Sequence, residues 1–210
     1  METFSSSQIR TLLSLHQPKP EGEYRRCSVM LLLFQQNGQL ELLFTKRAMH
    51  LTYQPGDICF PGGRAERGET PLQTAYREIE EEVGLRKEDL SLLGQIDYIV
   101  TYVGTIITPF VALVDKAISP SDLNVNPEEI GEIFTVPLSY FFQTTPKKSY
   151  LRYEHVLDKD FPVNFIRNGK NYPFAKPKLV HYFYSYGPYV IWGITARMAR
   201  NFVQILQQKL

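Results

Sequence analysis

Apolar and polar segments alternate along the chain at spacings that indicate several β-strands. Residues 27–34 are almost entirely apolar, residues 35–38 favour a tight turn, and residues 40–45 are again largely apolar, which predicts a hairpin with one buried strand. Residues 51–68 are rich in glycine, proline and charge and predict a loop. Further strands are predicted at residues 94–101, 106–114, 128–136, 150–155 and 164–167.

Helical signals are clearest just after this loop. Thr70 suits an N-cap, Pro71 suits the first helical position, apolar residues then recur at helical spacing, and Gly84 supplies a C-terminal stop. A second amphipathic helix is predicted over residues 192–210, and residues 137–142 predict a single helical turn.

Mixed strands with a few helices indicate an α/β or α+β sandwich. We expect residues 1–22 to be a polar lead-in with a short helix and residues 23–210 to form one domain. A chain of 210 residues with 43% hydrophobic residues can bury a substantial core, which supports a single domain.

Charge and cysteine content narrow the functional classes. The 23 Lys and Arg residues nearly balance the 22 Asp and Glu residues, so the chain has no general attraction for nucleic acid or anionic membranes. Any binding of phosphate would therefore depend on a few residues at one site rather than on the overall charge of the chain. Cys27 and Cys59 lie in apolar or strand-like runs, which predicts buried thiols in a reducing compartment rather than a disulfide framework.

The sequence shows no membrane or export signal. Residues 1–20 lack the apolar core of a signal peptide, and no later run approaches the ~18 apolar residues of a membrane span. The C-terminal residues match only the last two of the Ser-Lys-Leu peroxisomal address. We therefore expect a soluble, cytoplasmic protein.

Three carboxylates on the helix after residue 70 are the candidate chemical site. Glu78, Glu81 and Glu82 are spaced i, i+3 and i+4, so their side chains project from one side of the helix, where they repel one another. A hard divalent ion such as Mg²⁺ prefers carboxylate and water oxygens and removes this repulsion. Such an ion can polarise a phosphoryl oxygen and orient an attacking water molecule.

The residues around the carboxylates support the same chemistry. Gly62 and Gly63 let the backbone approach a metal or a phosphate closely, and a carbonyl there can act as a further ligand. Arg77 can hold one glutamate towards the metal through a charge-assisted hydrogen bond.

The string formed by Gly63, five residues, Glu69, seven residues and then residues 77–85 resembles a complete Nudix box. The resemblance implies a mixed sheet between helices, an α/β/α sandwich, and hydrolysis of a nucleoside diphosphate derivative by water attack on phosphorus. It implies Mg²⁺ or Mn²⁺ bound by Glu78, Glu81 and Glu82, with support from Glu69 and Gly63. The resemblance also implies a catalytic base at either Glu78 or Glu81, since members of the family differ in which of these glutamates has that role.

The segment before the box is similar to an additional motif of coenzyme A pyrophosphatases. The match holds at Leu43, Thr45, Arg47, Ala48, Gly56 and residues 60–63. Phe44 replaces a leucine, and Thr52 stands where that motif has an arginine. Residues 189–198 also resemble the C-terminal segment of this subfamily. The resemblance implies cleavage of coenzyme A, or of an acyl or oxidised form, into 3′,5′-ADP and the 4′-phosphopantetheine derivative.

Substrate contacts and alternatives remain open at this stage. We expect Lys46, Arg47 and Gly62 to contact substrate phosphate, although the two cations also fit an ordinary solvated strand end. The aromatic residues between 172 and 192 suit a nucleotide or acyl pocket, a core, or a homodimer interface. Because of Thr52, ADP-ribose or a dinucleoside diphosphate is an alternative substrate. A catalytically silent nucleotide-binding regulator is a further alternative, although all three glutamates are present.

Overall fold

A computed structural model describes residues 4–208 of the chain. The helices within these residues are α1 (Ser6–Leu15), α2 (Pro71–Val83), α3 (Leu138–Gln143) and α4 (Gly193–Gln207). The strands are β1 (Arg25–Gln36), β2 (Gln39–Arg47), β3 (Ile58–Cys59), β4 (Gly62–Arg64), β5 (Leu90–Gln95), β6 (Ile99–Val100), β7 (Thr105–Val114), β8 (Ile130–Pro137), β9 (Lys147–Arg152), β10 (Lys178–Tyr186) and β11 (Tyr189–Trp192).

The main sheet has eight strands and is mixed. Its central order is β3-β2-β1-β7-β5, with β4 also paired to β1, β6 to β7 and β8 to β2. Strands β1 and β7 are parallel, and the other pairs are antiparallel. The predicted hairpin is confirmed as β1 and β2, with Leu33 opposite Leu42.

Both faces of this sheet are covered. Along β1 the side chains alternate, so that Met30 and Leu32 pack in the apolar cluster that includes α2, whereas Leu31 and Leu33 pack in the cluster that includes α3 and α4. The predicted α/β/α sandwich with a mixed sheet between helices is therefore confirmed.

The C-terminal half contains a second sheet that the sequence pattern did not predict in full. Its order is β11-β10-β9, with all pairs antiparallel. The aromatic run around Tyr184 is strand β10, and Tyr184 itself is buried against the core. The strand predicted at residues 150–155 begins earlier, in β9.

The prediction of a strand at residues 164–167 is wrong. This segment forms two short 3-10 turns, Val163–Phe165 and Gly169–Asn171, closed by local backbone hydrogen bonds. Phe165 is 91% exposed, so no packing favours an extended conformation there. Asn168 between the turns has a φ of +70°, which ends any strand.

The strand predicted at residues 94–101 is also divided in two. The Asp97 backbone N–H donates to the Asn201 side chain on α4, at 3.3 Å, which takes this residue out of the strand ladder between β5 and β6. The loop predicted at residues 51–68 contains the short strands β3 and β4.

Within the described residues, the helices predicted near the two ends of the chain are both present. Helix α1 forms in the lead-in and all its residues are exposed. Helix α4 forms as predicted up to Gln207, and residues 209–210 lie outside the described range. The division into a lead-in and one domain stays a prediction. Among the described residues, no helix has the length and apolar character needed to cross a membrane.

Candidate active site

Local signals and apolar packing fix helix α2, which carries the candidate site. Thr70 and Gln73 form a reciprocal capping box at its start, and Gly84 ends it with a φ of +73°. The predicted bounds are therefore confirmed. Ala75 and Ile79 are fully buried under the sheet, and this stripe sets the rotation of the helix.

That rotation gives the three glutamates different surroundings. Glu82 is 3% exposed and Glu78 is 9% exposed, whereas the Glu81 side chain is 51% exposed. The Gly62 amide donates a hydrogen bond of 3.0 Å to a Glu82 oxygen. A Cβ at residue 63 would lie 2.6 Å from the Glu78 carboxylate carbon, so only glycine lets this carboxylate approach the loop so closely.

Arg77 holds the acidic groups together. Its Nη1 donates to Glu78 and to Glu81, each at 2.9 Å, and its Nε donates to Glu69 at 2.8 Å. Its Nη2 donates to the Arg64 carbonyl at 2.9 Å. These contacts, the Glu69 bond above all, raise the pKa of Arg77, so it stays charged. One guanidinium thus brings Glu78 and Glu81 together and ties the helix to the loop.

Glu69 is held by protein donors. Besides Arg77, the Glu66 amide and the Thr74 hydroxyl each donate to it at 2.8 Å. The Arg77 hydrogen bond, helped by the Glu66 amide and Thr74, lowers the pKa of Glu69 to about 2. Glu69 therefore stays ionised and fixes the position of Arg77. Its predicted role in metal binding stays a prediction.

Burial makes the charge on the inner carboxylates unfavourable. It raises the pKa of Glu82 to about 8, with the negative charges of Glu78 and Glu129 adding to the effect and the Gly62 amide and Arg47 opposing it. Burial also raises the pKa of Glu78. A bound cation would offset this cost.

Sequence reasoning missed Glu129, whose charge acts on both Glu78 and Glu82. It directly precedes β8, and the Ala48 amide donates to its carbonyl at 2.9 Å. The neighbouring Asn126 amide donates to the Glu82 carbonyl, also at 2.9 Å, which ties this segment to α2. No spacing relative to the box marks Glu129, because tertiary folding alone brings it to the site.

The donor set around α2 fits a hard divalent cation. Its groups are carboxylate oxygens, and the buried Glu82 needs a compensating positive charge. Within residues 4–208, no three His, Cys, Asp or Glu side chains converge as a metal-binding group. Glu81 instead accepts a hydrogen bond from Arg77, and Glu82 accepts one from the Gly62 amide. The predicted metal ligands therefore stay a prediction.

The two predicted phosphate-binding cations differ in their contacts. Lys46 forms a 3.3 Å ion pair with Glu132 on the neighbouring strand β8. The Nε of Arg47 donates to the Tyr53 carbonyl at 3.2 Å, and its charge acts on Glu82. Lys46 is therefore occupied by a surface ion pair, whereas the Nε of Arg47 is held by a loop carbonyl and its charge stabilises ionised Glu82.

The segment upstream of the box has a structural role in the fold. Phe44 and Phe60 are buried with their ring centroids 4.7 Å apart, and Thr45 donates to the Cys59 carbonyl at 3.3 Å. These contacts fix the loop that carries Gly62 and Gly63. Cys27 and Cys59 are both free and partly buried, and burial raises the pKa of the Cys59 thiol to about 11.

Comparisons with known proteins identify the family. The model of the NUDIX domain matches residues 24–158. An uncharacterized Nudix hydrolase of Photorhabdus laumondii is 32% identical over 191 residues, which cover 90% of each chain.

Relatives with a named activity are also similar to this chain. A peroxisomal coenzyme A diphosphatase of Mus musculus is 36% identical over 118 residues, 54% of this chain and 48% of its own. A mitochondrial coenzyme A diphosphatase of Homo sapiens is 29% identical over 181 residues, 85% of this chain and 68% of its own. Together with the family match, these similarities establish that the chain belongs to the Nudix hydrolase family.

Proposed function

We propose that this protein hydrolyses the diphosphate linkage of coenzyme A, or of an acyl or oxidised derivative, with Mg²⁺ or Mn²⁺. The products would be 3′,5′-ADP and 4′-phosphopantetheine or its derivative. The observation that carries the proposal is the Arg77-centred cluster of carboxylates beside Gly62 and Gly63. The coenzyme A diphosphatases among the relatives and the motif from Leu43 to Gly63 support this substrate.

Different residues would bind the metal, position its ligands and bind the substrate. A divalent cation held by Glu78, Glu81 and Glu82 would neutralise charge on the leaving phosphate and activate water. Arg77 would keep Glu78 and Glu81 at the site through the hydrogen bonds of its Nη1. Arg47 would bind substrate phosphate through its guanidinium group, and the backbone of Gly62 would contact the same phosphate.

A substrate panel tests this proposal. Coenzyme A, acetyl-coenzyme A, ADP-ribose, NADH and diadenosine polyphosphates would be incubated with Mg²⁺ or Mn²⁺, and the products would be identified by mass. We expect 3′,5′-ADP from coenzyme A. Glu82→Gln should abolish turnover while the protein still folds, and Glu80→Gln, an exposed position on the same helix, should not. Full activity of Glu82→Gln would remove this residue from the metal site.

One observation favours a second substrate class. Thr52 is exposed where the coenzyme A motif has an arginine, which removes a cation for a substrate phosphate. ADP-ribose lacks the additional 3′-phosphate of coenzyme A and would not need that cation. Faster turnover of ADP-ribose than of coenzyme A in the same panel would support this alternative.

A further inference from the structure

Residues 189–195 contact the strands that carry the candidate site, although they lie outside the NUDIX domain match at residues 24–158. At one end of this segment, the ring of Tyr189 stacks on Phe134 of β8 with a centroid distance of 3.7 Å. At the other end, Thr195 contacts β3. The proposed reaction uses none of these side chains, so it does not account for the contacts.

The Thr195 hydroxyl is buried and forms its hydrogen bond outside its own helix. Thr195 lies in the first turn of α4 and is 7% exposed, and its hydroxyl donates to the Ile58 carbonyl at 3.0 Å. A threonine in a helix can bond a carbonyl of its own preceding turn. Here the donor instead joins α4 to a residue 137 positions earlier in the chain, so the bond fixes tertiary structure.

Strand β3 needs such a contact because only one of its edges is paired. Among the described strands it pairs with β2 alone, with Ile58 opposite Lys46 and Cys59 opposite Thr45. A strand of two residues has little stability of its own, and the backbone groups on its free edge need other partners. Thr195 supplies one of these partners and so ties β3 to α4.

The tied strand leads directly to a glycine of the candidate site. Gly62 is four residues after Ile58, at most about 13 Å along the chain. Phe60 between them is 1% exposed. The Gly62 amide donates to Glu82 at 3.0 Å, and a Cβ at this residue would lie 2.3 Å from the Ser28 carbonyl, so its backbone packs tightly against β1. A shift of β3 would therefore reach the Gly62 amide, because no loose loop separates the two.

We propose that Thr195 is a positioning residue for the candidate active site. Its hydrogen bond to Ile58 holds β3, and β3 holds the Gly62 amide where it bonds Glu82. The inference rests on the proposed function, in which Glu82 binds the metal and Gly62 contacts substrate phosphate. Helix α4, which lies outside the family match, thereby contributes to the geometry of the reaction.

Amide hydrogen exchange in EDTA tests the positioning directly. Thr195→Val retains the shape of the side chain but removes the donor, and we expect the Gly62 amide to exchange at least about 10-fold faster. Thr195→Ser retains the hydroxyl and should leave the exchange rate unchanged. The matched control is Asn201→Ala, which removes a hydrogen bond between α4 and the Asp97 amide and should accelerate exchange at Asp97 but not at Gly62.

Turnover measures whether the positioning matters for the reaction. At saturating Mg²⁺, Thr195→Val should lower kcat/KM for coenzyme A by about 10-fold, and Thr195→Ser should retain the natural value. Asn201→Ala should leave kcat/KM unchanged even where it lowers the free energy of unfolding. A purely structural Thr195 would instead make Thr195→Val behave like Asn201→Ala, with reduced stability and natural kcat/KM.

The inference and the proposed function can fail separately. Unchanged exchange of the Gly62 amide in Thr195→Val would overturn the inference, and so would faster exchange with natural kcat/KM. If the natural chain cleaves a different substrate of the panel, kcat/KM is compared with that substrate. If it cleaves none, the proposed function fails, and calorimetry with Mn²⁺ decides the inference together with exchange. Thr195→Val should then bind Mn²⁺ about 10-fold more weakly than the natural chain, and equal affinity would overturn the positioning role.

Discussion

The buried charge of Glu82 should make the stability of the metal-free protein depend on pH. Its pKa rises from an ordinary value of 4.5 to about 8 in the fold, chiefly because of burial. At low pH the side chain is neutral in both the folded and the unfolded protein. Between these two pKa values the folded protein retains a proton that the unfolded chain has lost, so the free energy of unfolding falls as pH rises.

The size of this effect follows from the two pKa values. At about 1.4 kcal/mol per pH unit, the ionised Glu82 destabilises the fold by roughly 5 kcal/mol above pH 8, as an upper limit. Glu82→Gln removes the charge, and its amide oxygen can still accept the Gly62 hydrogen bond. The variant should therefore be about as stable as the natural chain at pH 5 and more stable by roughly 2 to 5 kcal/mol at pH 9.

Urea unfolding in EDTA at both pH values measures this difference. Glu80→Gln is the matched control, because it removes an exposed carboxylate from the same helix and should leave the pH dependence unchanged. Added Mg²⁺ should stabilise the natural chain more than Glu82→Gln, because a ligand that binds only the folded state raises its stability. An identical gain for Glu82→Gln at pH 5 and pH 9 would refute the argument from buried charge.

Four further substitutions test the geometry of the site. Gly63→Ala should lower kcat by at least about 10-fold with an unchanged circular dichroism spectrum, because the methyl group displaces the Glu78 carboxylate. Arg77→Lys retains charge but loses the fork that holds three carboxylates, so a Mg²⁺ titration of turnover should show weaker apparent metal affinity by about 10-fold or more. Glu129→Gln should lower the pKa of Glu82 and shift the pH midpoint of metal-dependent activity downward. Thr70→Ala should reduce the free energy of unfolding in urea by about 1 kcal/mol through loss of the helix cap.

Local signals explain why helix α2 could be predicted from the sequence. Its cap, its first-turn proline and its terminal glycine act within a few residues of the chain, and each is found in its expected role. The hairpin of β1 and β2 is similarly local, because a short turn sets its register. The order of strands in the main sheet could not be predicted in this way, because the pairing of β1 with β7 joins residues far apart in sequence, and the family resemblance implied only a mixed sheet between helices.

The second sheet shows where the pattern fails. Strand β10 is rich in tyrosine, and aromatic residues suit a strand, a core or a binding pocket equally well. Strand β9 is exposed along its whole length, so it has no alternation of buried and exposed residues to recognise. Its pairing with β10 rather than its own sequence defines it, and the same lack of local signal explains the error at residues 164–167.

Helical geometry explains why the three glutamates differ, although their spacing alone presents them as equals. At about 100° per residue, Glu82 is about 60° around the helix from the buried Ile79, Glu78 about 100° and Glu81 about 160°. Their burial follows the same order, with Glu82 innermost and Glu81 outermost. The order of burial could therefore be predicted from the sequence. The groups around the glutamates could not be predicted, because only the folded structure brings Gly62 and Glu129 close to them. Burial, which follows from the helical spacing, is the largest cause of the raised pKa of Glu82, and these neighbours then oppose that rise or add to it.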